Sequence, residues 1–273
     1  MPAIHLDRLE QQLNLIFNPE TSGVLFKENF LTLIEAHSNL AYQAGQDLQR
    51  KSLTPKLHLP PILMHRVQLR LVSLSKKNPE LAIEYAEQLW SINTYETKLF
   101  AAIIIGNLSE VLRNDVLETL LKWGMETTDY EVHQLLFING SKKIRQINQN
   151  IWLESLITWI DSNDQNQIVI AISAIRALIN DPNFVNLPRI FKIIFPLFTN
   201  ASRKVNAALQ ILINDLAEIN PNETAHFLSS VLLSSPPKVT RQIIRKSLNL
   251  FPDKQKLILR NSLLSVSEDD LDA

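Results

Sequence analysis

Five short stretches of this 273-residue chain open alike: TYETKLFAAI at 94–103, TDYEVHQLLF at 128–137, DQNQIVIAIS at 164–173, ASRKVNAALQ at 201–210 and PKVTRQIIRK at 237–246. Their starts lie 34, 36, 37 and 36 residues apart. Each begins polar and runs into apolar or small residues. That recurrence is the pattern of stacked helix pairs, because one pair cannot cover its own apolar face and needs the next. Between the stretches apolar residues return at helical spacing, as in Val205, Ala208, Leu209, Leu212, Ile213 and Leu216, and strand-type alternation is nearly absent. The expected fold is all-α, an α-solenoid or superhelix of helix-pair repeats.

Punctuation agrees with that reading. Five glycines against 13 prolines suit helix entries and loops better than sheet turns or phosphate cradles. Asn78, Ser202, Asn220 and Ser235 stand where helix caps are expected, each at a polar joint before an apolar run. The predicted organisation is one repeat domain over 1–265, with capping helices in 1–56 and repeats in 57–265. RKSLTPKLHLPPIL is a proline-rich loop closing the capping helices, and 266–273 is an acidic tail expected to be disordered.

Several chemistries are excluded. With no cysteine there is no disulfide, thiol nucleophile or thiolate zinc site, which fits a cytoplasmic protein. His5, His37, His58, His65, His133 and His226 form no His-x-x-x-His pair, so no metal is expected. No Gly-rich phosphate loop or Gly-x-Ser-x-Gly elbow exists, and no cofactor is expected. The first residues lack the basic start and continuous apolar core of a signal peptide, and no apolar run is long enough for a membrane span.

Charge is near balance, at −1, but unevenly laid out. Ten acids face three bases between Pro79 and Gln134, whereas eleven bases face four acids between Leu187 and Arg260. Lys142, Lys143, Arg145, Arg203, Lys204, Arg241, Arg245 and Lys246 are therefore candidate contacts to DNA phosphates. Two other readings stand beside this one. Helices solvate themselves with Lys and Arg, and the acidic half could grip a protein partner.

The stretch LPPILMHRVQLRLVSLSKKNPELAIEYAEQLWSINTYETKLFAAIIIGNL resembles the AlkD-like DNA alkylation repair family. The resemblance rests on Leu89, Trp90, Ser91, Tyr95, Glu96, Ala101 and Ala102, on LITWIDSNDQNQIVIAIS, and on the Val, Ala, Asn-Pro and Thr-Arg positions between Ser202 and Leu248. It covers about Leu57 to Arg260. It implies a curved stack of HEAT-like helix pairs and, in active members, excision of cationic alkylated purines from duplex DNA held in a basic groove. That chemistry takes an acid ending a Trp-Asp-x-x-Asp motif, arginines and a tryptophan. Setting Asp129 on the motif's first Asp leaves Val132 at the acid, and setting Glu131 there leaves Gln134. The expected arginine aligns with Val169, the tryptophan with Ile211 and a second arginine with Asn214. The resemblance thus implies a DNA-binding protein without base excision. A working glycosylase would need a relocated acid, Asp129 or Glu131, whose other role is as helix N-terminal acids. Trp90, Trp123, Trp152 and Trp159 are expected to pack between repeats, with Tyr95 and Glu96 bracing a joint.

Overall fold

A computed structural model describes residues 5–38, 53–199 and 202–269. Among them the chain is helical and contains no strand. Helices α1 (Leu6–Ile16), α2 (Gly23–His37), α3 (Pro61–Lys77), α4 (Pro79–Ser91), α5 (Tyr95–Ile105), α6 (Arg113–Glu126), α7 (Tyr130–Leu135) and α8 (Lys142–Ile147) are followed by α9 (Gln149–Ile160). The remainder is α10 (Gln165–Ile179), α11 (Leu187–Ile194), α12 (Arg203–Ile219), α13 (Pro221–Leu233), α14 (Lys238–Ser247) and α15 (Asp253–Asp269). The chain divides into two compact units, Met1–Trp152 and Leu153–Ala273. Residues 270–273, the end of the expected acidic tail, and the opening Arg50–Ser52 of the expected loop lie outside the described residues.

The recurring polar openings are helix starts. Helices α5, α7, α10, α12 and α14 begin at Tyr95, Tyr130, Gln165, Arg203 and Lys238. Four of these starts are fixed by a side chain on an otherwise unpaired backbone N–H: Thr94 with Thr97, Asp129 with Glu131, Asp164 with Asn166, and Ser202 with Val205. Asn78 and Asn220 cap α4 and α13 as expected. Ser235 does not cap α14. Pro236 and Pro237 intervene, and a residue before proline is kept out of the helical region, so α14 starts after Pro237 without a side-chain cap.

Within the first unit α3, α5 and α7 lie side by side, while α2, α4 and α6 form a second layer. Gly23 N–H donates to Glu84 at 2.6 Å across α2 and α4, and Trp90 stacks on Trp123 at 4.4 Å across α4 and α6. The second unit repeats the plan, with α10, α12 and α14 in one layer. Phe191 on Phe227, 4.6 Å apart, joins α11 to α13, and α15 packs on α13. All four tryptophans are buried, as expected of residues packed between helix pairs.

Helix α7 ends in a wide π-type turn, Leu136–Gly140, whose backbone presses on the C-terminus of α5. Gly106 permits this: a Cβ there would meet the Asn139 carbonyl oxygen at 1.8 Å. Neither backbone can yield, so Gly106→Ala is expected to cost about 3 kcal/mol, the upper end for overpacking. A thermal melt should show the midpoint falling by roughly 5–10 °C.

Candidate nucleic-acid interface and the carboxylate joint

At the N-terminal ends of α5 and α7 an irregular segment, Leu53–Pro60, is hydrogen-bonded to both helices. Its backbone N–H groups have no ladder partner of their own and must find acceptors. Glu96, 6% exposed, supplies two. Its carboxylate accepts from Leu57 N–H at 3.0 Å and from His58 N–H at 2.8 Å, where His58 takes a positive φ of 52°. Asp129, 4% exposed, supplies another. Its Oδ2 accepts from Thr54 N–H at 2.8 Å and its Oδ1 from Glu131 N–H at 2.9 Å, which caps α7. In return Tyr95 N–H donates to the Pro55 carbonyl at 2.9 Å. Glu131 pairs with Lys56 at 2.9 Å, and the Lys56 ammonium stands 4.8 Å from the centre of the Tyr95 ring.

One turn further in, Lys98 is buried with its ammonium 3.8 Å from the Trp90 ring centre, and Trp90 Nε1 donates to Glu126 at 2.7 Å. Burial lowers the Lys98 pKa below the usual lysine value, opposed by Glu126 and Asp129. Burial also raises the Tyr95 phenol, an effect that the Lys56 charge opposes.

The two acids singled out in the sequence are therefore side-chain partners of backbone and of Lys56. Asp129 acts as an N-cap and Glu131 as an ion-pair partner. Because Asp129 is the cap of α7, Val132 stands one turn in, where it is fully buried. Val169 is half-buried, Ile211 is 42% exposed, and Asn214 accepts from Gln210 at 3.2 Å. The bracing by Glu96 was legible in the sequence; the Lys56 and Lys98 contacts were not, since nothing local marks them.

The eight basic residues separate by environment. Arg145 is buried and its Nη2 donates to the Ile138 carbonyl at 2.8 Å, so its charge is committed to the π-type turn rather than to a surface. That removes it from the expected cationic set. Lys142 is exposed, and Lys143 is half-buried beside an apolar hollow of about 30 Å³ that also touches Arg113 and Ile147. In the second unit Arg203, Arg245 and Lys246 are exposed, Arg241 is half-buried, and exposed Lys204 donates to Asn166. Arg241 and Arg245, four residues apart, share one flank of α14. Arg176 is different in kind: 7% exposed, it pairs with Asp215 at 2.6 Å and ties α10 to α12.

Among the described residues no group of His, Asp and Glu is arranged to hold a metal, and no helix is long and apolar enough to cross a membrane. A protein-family model described as DNA alkylation repair enzyme matches residues 66–251. No curated protein and no solved structure matches the chain.

Two outcomes follow from the joint. Glu96→Ala removes a charged acceptor from two buried N–H groups and should destabilise the protein by about 2–4 kcal/mol. Amide exchange at Leu57 and His58 should quicken with it. Lys98 holds its proton less tightly folded than unfolded, so its penalty is full below the folded pKa and fades as pH rises towards 10.5. Lys98→Met is accordingly expected to be at least as stable as the parent near pH 7. Its advantage should shrink in melts recorded at increasingly alkaline pH, and a constant difference would contradict this account.

Proposed function

The chain belongs to the DNA alkylation repair enzyme family, and on that premise we propose that it holds duplex DNA by its backbone phosphates without excising a base. The observation that carries this reading is the contrast between two sets of positions. Arg203, Lys204, Arg245 and Lys246 are exposed on α12 and α14, where cations displace phosphate counterions and bind with little regard to sequence. Val132, Val169 and Ile211 occupy the places that the resemblance assigns to the acid, an arginine and a tryptophan.

Excision of an alkylated purine builds positive charge on the sugar. It needs a carboxylate or an equivalent dipole aimed at that charge and a means to position water. A valine or isoleucine side chain has no donor or acceptor. Of the two acids nearby in sequence, Glu131 is paired with Lys56 and Asp129 already accepts from two backbone N–H groups. Using it on a substrate would leave Thr54 N–H and the start of α7 unpaired, a penalty of about 1–3 kcal/mol per group. Retained shape with lost chemistry is the more economical account of these residues.

Binding is tested by fluorescence anisotropy with a short duplex at several salt concentrations. The expected result is affinity that falls linearly in log–log form, by about 0.9 per phosphate neutralised. Arg245→Ala with Lys246→Ala should weaken it for every sequence and reduce that slope by about 1–2. A folded protein that ignores duplex DNA at low salt would end this reading. Incubation with duplex carrying an N7-methylated guanine should release no base. Release that disappears in Asp129→Asn with Glu131→Gln would establish instead a glycosylase with a relocated acid.

A further inference from the structure

We propose that Tyr95 and Glu131 form a binding site for an organic ammonium cation, which the chain's own Lys56 fills. An aromatic face and a carboxylate approaching one point from different directions are what recognise such a cation: the ring quadrupole attracts the charge and the carboxylate pairs with it. Both elements are built into the first unit. Tyr95 opens α5 and Glu131 lies in the first turn of α7, so each is carried by a helix rather than by a loop. The Lys56 ammonium is 2.9 Å from Glu131 Oε2 and 4.8 Å from the Tyr95 ring centre. Glu96 and Asp129, whose charges also act on Tyr95, make the surroundings anionic while their oxygens are engaged by backbone N–H groups.

The occupant is separable from the segment that carries it. Leu53–Pro60 is held through backbone atoms at Thr54, Pro55, Leu57 and His58, none of which involves the Lys56 side chain. Truncating that side chain leaves the segment anchored and the ring and carboxylate in position. At 33% exposure of the Lys56 side chain and 20% of Glu131, solvent reaches the site, and so can a small cation. Lys98 over Trp90 provides an internal comparison: that residue is only 5% exposed, against 33% for the Lys56 side chain. The inference is independent of DNA binding and stands or falls separately from it.

The test is thermal melting of Lys56→Ala in n-butylammonium chloride, the free counterpart of the lysine side chain. Sodium chloride and n-butanol serve as controls for ionic strength and for the apolar chain. A ligand that binds only the folded state raises the midpoint saturably. The expected result is a rise of about 2 °C or more for Lys56→Ala. The parent should respond no more than it does to sodium chloride, and the rise should vanish when Tyr95→Leu and Glu131→Gln are added. Equal responses in parent and variant, or no response in a variant shown by circular dichroism to be folded, would overturn the proposal. Lys56→Ser answers the same question if the alanine variant aggregates. Choline and an N-acetyl-lysine amide, titrated in parallel, separate a small free cation from the lysine of a partner chain; preference for either supports the site, and binding of neither overturns it.

Discussion

Helix starts are the constraint on which the rest of this structure depends. An apolar helix packed in a layer of others begins with backbone N–H groups that no residue of its own can satisfy. An acceptor supplied at that place in the chain fixes the start. Thr94, Asp129, Asp164 and Ser202 supply it, and the requirement returns with every helix start. In the first unit it reaches further than the helices themselves. Glu96 and Asp129 accept from the Leu57, His58 and Thr54 N–H groups of the irregular segment before α3, so the joint and the starts of α5 and α7 are one hydrogen-bonded assembly.

This explains which features could be read from the sequence. Helical spacing and caps are local properties, so the five recurring openings revealed five helices and the all-α class. Glu96 was legible as a brace because a carboxylate at a helix entry, beside an aromatic, has few other uses. Ser235 failed for a local reason that was in plain view: two prolines follow it, and the helix waits for them to pass. The burial of Arg145 has no such local sign. Its burial depends on the π-type turn at Leu136–Gly140, and that turn follows from the close approach of α5 at Gly106, a tertiary fact. Lys56 and Glu131 are 75 residues apart in the chain, beyond the reach of any spacing argument.

Charge has to be divided in the same way. The excess of acid between Pro79 and Gln134 suggested a surface for a protein partner, yet three of its carboxylates, Glu96, Asp129 and Glu131, face inward to N–H groups or to Lys56. Their oxygens are held inside the fold rather than offered to a partner at the surface. The second unit differs: Arg176 is paired with Asp215 inside the layer, while Arg203, Arg245 and Lys246 remain on the surface. A sum over residues misses this. What a partner meets is the charge left after the fold has used its share.

The same logic bears on position 132. Asp129 as cap and Val132 one turn later form a single choice of register in α7, because a cap fixes where the helix begins and hence which face each later residue joins. Val132 is fully buried, and an ionised carboxylate put there would be desolvated without a partner, at a cost of several kcal/mol. An acid at that position would therefore oppose the packing of α7, and the valine is what that packing favours.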